Sequence, residues 1–163
     1  MISLRIDGAL FNYRVAGVAV LNGKVLLHKT PSDNFWTLPG GRAELFEFSK
    51  DTLQREMREE TGLNAEAGEM LWVSENFFSY DGDKYHEIGF YFSMQIHDLP
   101  HQEDFLGSEG QDELLFHWHD VADLHSIAVY PAFLTEALAK SPLEKGHYNS
   151  GYTDLDAGNP IPS

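Results

Sequence analysis

The chain has 163 residues, of which 42% are hydrophobic and 13% aromatic, enough for one well-buried core and too few for two comfortable domains. It contains no cysteine, which excludes disulfides and thiolate metal sites and fits a reducing, cytoplasmic setting. The net charge of −15 repels nucleic-acid backbones; no apolar run approaches the roughly 18 residues of a membrane span, and Arg5 and Asp7 interrupt the first ten residues where a secretory signal needs an apolar core, so neither long nucleic acid nor a membrane is an expected partner.

Residues 1–10 read as a short edge strand or arm. Tyr13 to Val20 and Lys24 to Lys29 are β-rich runs joined by Asn22-Gly23, which predicts an antiparallel hairpin. The first run is nearly all apolar, as expected of a central strand covered on both faces, and Arg14 near its start is a candidate substrate contact. Thr30 to Asn34 is a loop. Phe35 and Trp36 follow, either as core residues or with one of them stacked on a flat ligand; Phe35 is the candidate for that contact. Gly40 and Gly41 allow a close backbone approach, and Arg42 and Glu44 stand at the rim beyond them, with Arg42 a second candidate substrate contact.

Ser49 as N-cap, Asp51 in the first turn and Gly62 as a left-handed stop predict a helix from Lys50 to Thr61. Leu53 and Met57 share its apolar stripe, while Glu56, Glu59 and Glu60, spaced i, i+3, i+4, crowd the neighbouring arc and are expected to face one point. Like charges so placed repel unless a cation neutralises them, and hard carboxylate ligands suit Mg²⁺ or Mn²⁺ together with substrate phosphates. The wider spacing sets Gly41, then Glu47, then Arg55-Glu56, Met57, Glu59-Glu60, Gly62 and Leu63 in fixed register. Every one of these positions matches the signature of the Nudix hydrolases, which the chain therefore resembles over a loop and a helix in the right context.

Beyond the helix, Met70 to Tyr80 and Tyr85 to His97 are aromatic-rich strands flanking an Asp81-Gly82-Asp83 hairpin signal. Glu75 and the pair His86-Glu87 are the polar exceptions in them; Glu75 and His86 are candidate substrate contacts against a plain solvent-facing reading. Asp98 to Asp112 is acidic, with Pro and Gly and no periodicity, and reads as a mobile loop. Glu113 opens the strand ELLFHWH, whose His117 and His119 alternate onto one face and raise a zinc site against ordinary half-buried histidines. Pro131 to Lys140 reads as a helix with Phe133, Leu134, Ala137 and Leu138 on one side, and the composition from Ser141 predicts an irregular tail over about 141–163.

The order of strands, helix, strands, helix fits one α/β domain, and the resemblance implies the Nudix α/β/α sandwich with a mixed β-sheet. It also implies Mg²⁺-dependent hydrolysis of a pyrophosphate bond in a nucleoside diphosphate linked to another group, with a homodimer as the expected assembly. By the same resemblance the Gly40 carbonyl joins Glu56, Glu59 and Glu60 as metal ligands, Glu59 or Glu113 takes the proton of the attacking water, with Glu109 and Asp112 as rivals of Glu113, Arg55 orients the glutamates, and Glu47 braces the loop. The alternatives are a nucleotide sensor that keeps the fold, or a housecleaning nucleoside triphosphatase. Tyr80 stands near where diadenosine polyphosphate hydrolases of the family often carry a tyrosine, and no proline lies between Pro39 and Pro100, where many ADP-ribose hydrolases have one.

Overall fold

Alternation along two strands fixes the layers in the computed structural model, which describes residues 1–97, 99 and 102–156. On β2 (Ala9–Val18) Val15 points into one core, and Ala16 and Val18 into another. On β4 (Lys24–Lys29) Leu26 joins the first, and Val25 and Leu27 the second. Strands with both faces buried need a cover on each side. α1 (Ser49–Thr61) covers one side, burying Leu53 and Met57 with Val15, Phe92 and Leu114. α2 (Phe133–Leu138) covers the other, with Leu134, Ala137 and Leu138 packed beside Trp72, Tyr91 and Leu124 of a 3-10 turn at Val121–Ser126. The result is an α/β/α arrangement.

The middle layer holds two sheets. The larger is mixed and runs β1 (Ser3–Ile6), β2, β7 (Asp83–Ile96), β6 (Ala65–Tyr80) and β10 (Gly146–Asp154), with β5 (Gly40–Arg42) also paired to β2. β2 and β7 are parallel, as are β6 and β10; the other pairs are antiparallel. The smaller sheet is antiparallel, in the order β3 (Val20–Leu21), β4, β9 (Asp112–Asp120), β8 (Phe105–Glu109). The segment from Thr37 to Arg42 crosses between them, since Thr37 bridges His28 on β4 while Gly40 to Arg42 pair with β2.

Four expectations change. The Asn22-Gly23 turn forms, with both residues in the left-handed region at φ 53° and 74°, but only Val20 and Leu21 pair across it. The run Tyr13 to Val20 is not one hairpin arm: it breaks at Ala19, and its apolar half takes the parallel partner β7 while α1 and α2 cover its two faces. Asp98 to Asp112 is not a loop throughout, because Phe105–Glu109 forms β8, anchored by Phe105 stacked on Phe116 at 4.7 Å; residues 98, 100 and 101 lie outside the described set. The tail from Ser141 is not irregular either. Its Gly146–Asp154 lies parallel along β6, Trp72 Nε1 donates to the Glu144 carbonyl at 2.8 Å, and Asp156 accepts the N–H groups of Asp81 and Gly82 at 2.7 and 3.1 Å. Both are edge strands without an inward apolar alternation to betray them, since Leu106 on β8 and Tyr152 on β10 face outward; residues 157–163 lie outside the described set.

The helix ends differ in detail. Gly62 is the left-handed stop at φ 74°, its N–H returning to the Arg58 carbonyl at 2.9 Å. At the other end Phe48, not Ser49, is the N-cap, and it makes no side-chain cap. The second helix is shorter than Pro131 to Lys140.

Candidate active site

Arg55 sits in the second turn of α1 and gathers the acids around it. Its Nε and one terminal nitrogen hold Glu47 as a two-point pair at 2.8 and 3.0 Å; the other terminal nitrogen donates to Glu56 at 2.9 Å and Glu59 at 3.1 Å. A further bond to the Arg42 carbonyl at 3.1 Å ties the helix to β5. Such a fork suits two carboxylates at once, and a lysine in its place would not. Glu47 also receives the Thr52 hydroxyl at 2.7 Å and the Glu44 N–H at 3.2 Å, so it closes the loop onto the helix start in place of the missing cap. The Arg55 bonds hold its carboxyl down to about 2, and Glu47 in return raises the guanidinium.

The glutamate trio does not converge as one cluster. Glu56 and Glu60 occupy the inner arc, whereas Glu59 is 59% exposed on the outer side. Among the described residues no three His, Cys, Asp or Glu side chains are already gathered as a finished ion site, because Glu56 and Glu59 each spend an oxygen on Arg55. The donor chemistry nevertheless fits a hard divalent cation. Glu60 is 5% exposed, and its Oε2 is buried with no hydrogen-bond partner. Burial raises its pKa, helped by the charges of Glu56 and Glu109. A cation at this oxygen would satisfy the orphan atom and oppose both effects. Gly41 shapes the place: a Cβ there would lie 2.2 Å from the Glu56 carboxyl carbon. Gly40 is fixed by its sheet partner, since a Cβ would meet the Val15 carbonyl at 2.0 Å.

From Glu56 a cavity of about 190 Å³ runs between the two sheets. Arg14, Arg42 and Glu109 stand on its walls near the acids, and Phe35, Phe78, Tyr80, Tyr85 and Tyr130 line the far part. The aromatic walls brace one another: Phe35 meets Tyr130 edge to face at 6.2 Å, Phe78 meets Tyr130 at 5.3 Å, and Phe78 stacks on Tyr85 at 4.9 Å. Tyr80 is fixed by its hydroxyl, which donates to Asp33 at 2.7 Å. Arg14 donates to the Leu38 carbonyl at 2.8 Å, and its charge is felt at Glu60, Glu87 and His28 alike. Of the two ring candidates, Phe35 lines this cavity, whereas Trp36 packs on His119 at 4.5 Å and under Lys29.

Three candidates lie elsewhere. Glu113 is exposed on β9, and it is Glu109, across the β8–β9 turn, whose charge reaches Glu60. Glu75 and His86 lie on the opposite face of the large sheet. Glu75 pairs with His147 of β10 at 2.8 Å, and His86 sits edge-on between Phe77 at 4.7 Å and Phe11 at 5.5 Å. The reason is parity, since neighbours along a strand face opposite ways and a reading displaced by one residue selects the wrong side. The cavity receives Glu87, which the sequence offered only as half of a pair, and Asn76 lies buried beside it. The missed signal is a row of polar residues, Asn12, Glu87 and Asn76, legible only once strand register is known. His117 and His119 do share a face, with rings 4.3 Å apart beside Trp36, and neither lines the cavity.

The family model for the NUDIX domain matches residues 12–139. An uncharacterised Nudix hydrolase of Bacillus subtilis (strain 168), YvcI, is 32% identical over 108 residues, covering 66% of this chain and 65% of that protein. The match spans less than two thirds of the length of such curated relatives. Among solved structures, a NUDIX hydrolase from Nitrosomonas europaea superposes with a TM-score of 0.62 at 18% identity, covering 87% of this chain and 79% of the other. A MutT protein from Bacillus halodurans gives 0.61 at 17%, covering 89% and 92%. At these identities the structural likeness speaks for the fold.

Proposed function

Because the chain belongs to the Nudix hydrolase family, whose members generally use divalent metals, we propose that it hydrolyses the pyrophosphate bond of a nucleoside diphosphate joined to another group, with Mg²⁺ as the working ion. No helix among the described residues is long and apolar enough to cross a membrane. The observation that carries the reading is the orphan Glu60 oxygen beside Glu56, which itself lines a cavity with aromatic walls. Acids at one end and flat rings at the other match the two ends of a nucleotide.

Glu56, Glu60 and the Gly40 carbonyl would hold the ion, with Glu59 able to swing in from solvent. When bound, the ion supplies charge neutralisation for the diphosphate and polarises the attacked phosphorus. Arg55 keeps Glu56 and Glu59 oriented through its fork, and Glu47 keeps Arg55 in place. Arg14 and Arg42 face the cavity where phosphate oxygens would lie, as fixed positive charges. Glu109, beside Glu60, or Glu59 takes the proton of the attacking water.

The test is a panel of nucleotide sugars, dinucleotides, nucleoside triphosphates and damaged deoxynucleotides, assayed with Mg²⁺ by phosphate release after phosphatase coupling. Hydrolysis of at least one member, abolished by chelation, is expected. Tight binding of one member with no hydrolysis anywhere would replace this reading with that of a sensor.

A further inference from the structure

The mechanism above leaves one buried acid unused. Glu87 lies on β7, where it is 7% exposed, and its register partners are Asn12 on β2 and Asn76 on β6. All three are buried and side by side on one face of the central strands. The row on one flank is Arg14, Gly89 and Ser74, whose Oγ accepts from the Asn76 amide at 2.9 Å, with the core row Ala16, Tyr91 and Trp72 beyond it, and the row on the other flank is Leu10, Tyr85 and Phe78. A polar line across the middle of such a face costs folding energy unless it meets a ligand or a full set of partners. It lacks the full set: the Asn76 Oδ1 and the Tyr130 hydroxyl are both buried and unpartnered. Glu87 has no ion pair among the described residues, and Arg14, the charge it feels most, ends on the Leu38 carbonyl.

We propose that Glu87, flanked by Asn12 and Asn76, is the specificity-determining residue of the site and reads a base edge that carries two adjacent N–H donors, as the ring N–H and 2-amino group of guanine do. This rests on the nucleotide reading above. Glu87, Asn12 and Tyr130 line the same cavity as the aromatic rings, so a flat heterocycle entering between the rings presents its edge to them. The Ser3 hydroxyl donates to the Asn12 oxygen at 2.7 Å, which turns the Asn12 amide hydrogens toward Glu87. Burial raises the Glu87 pKa, and the Arg14 charge and the amide donors on its flanks oppose that rise, favouring the form of the carboxyl that accepts. Two oxygens that only accept match two neighbouring donors and repel an oxo group in the same place.

The experiment compares GTP with ITP, which lacks only the 2-amino group, and with ATP and UTP, by kcat/KM with Mg²⁺, alongside the metal-free Kd of GMP and IMP. The wild-type protein is expected to favour GTP over ITP, and GMP over IMP, by about tenfold or more. In Glu87→Gln, which preserves volume but adds a donor, both preferences should collapse toward unity. Equal treatment of guanine and hypoxanthine by the wild type overturns the inference even if hydrolysis is brisk, and needs no variant to fold. Retention of the full preference in Glu87→Gln overturns it as well. Discrimination in GMP binding that Glu87→Gln abolishes upholds it even if none of the four triphosphates is cleaved, a failure that would fall on the proposed reaction alone.

Discussion

The acids of α1 and the polar floor of the cavity are both built from carboxyl and amide groups, yet they are assembled in opposite ways. Glu47, Arg55, Glu56, Glu59 and Glu60 come from one short stretch, and the Arg55 guanidinium holds Glu47, Glu56 and Glu59. Asn12, Glu87 and Asn76 come from three strands and meet only because β2, β7 and β6 pair in one register. A helical cluster is written in local spacing and survives small shifts of its neighbours. A floor made by register is written nowhere locally, and one residue of slip would turn all of it outward.

That contrast orders what perturbation should do. The largest effect is expected at Glu60, whose buried oxygen has no partner. Glu60→Gln should lower kcat by about 10²- to 10³-fold, the scale of losing one aligned charge-stabilising group, with circular dichroism and melting little changed. Turnover at the wild-type rate would remove the metal assignment and leave α1 a structural element. Arg55→Lys comes next. It keeps the charge but loses the fork, and should weaken Mg²⁺ affinity by about 10- to 100-fold, as loss of an orienting partner does, read by calorimetry. An unchanged affinity would mean that Glu56 and Glu59 orient themselves.

Legibility followed the same division. The helix, its glycine stop and the acidic arc could be read from Lys50 to Gly62 because periodicity and a glycine stop are local, although Phe48 and not Ser49 proved to be the N-cap. The same local reasoning expected three glutamates to face one point, and packing against β5 and β8 instead buries Glu56 and Glu60 and leaves Glu59 outside. The Asp81-Gly82 turn was also local and formed with both residues in the left-handed region. What the sequence hid was pairing. β8 and β10 are edge strands without an inward apolar alternation, and Leu106 and Tyr152 even face outward, so their composition reads as loop and tail. Glu75 and His86 stood out as polar residues in apolar runs, but which parity faces the cavity is set by β2 and β7 together, and it is Glu87 that lines it, with Asn76 buried beside Glu87.

The smallest expected effect lies where the two regions meet. His28 on β4 is buried and stacked on Phe116 at 5.2 Å, with neither ring nitrogen in a well-formed hydrogen bond. Burial, with the Arg14 charge second, lowers its pKa from 6.5 to about 3, so the folded protein keeps it neutral while the unfolded chain protonates near 6.5. Its contribution to stability is therefore complete above pH 6.5 and is lost as pH falls from there toward 3, by up to about 1.4 kcal/mol per pH unit. His119, lowered to about 4 mainly by burial, acts in the same direction, whereas Glu60 and Glu87, both raised by burial, act in the opposite one. The total slope thus mixes signs, and only a difference isolates one group. Urea unfolding of wild type and His28→Leu at pH 7, 6 and 5 should show the wild type losing more stability at each step. Parallel slopes would mean that water or a neighbour reaches the imidazole, and that the inner end of the cavity is wetter than its lining implies.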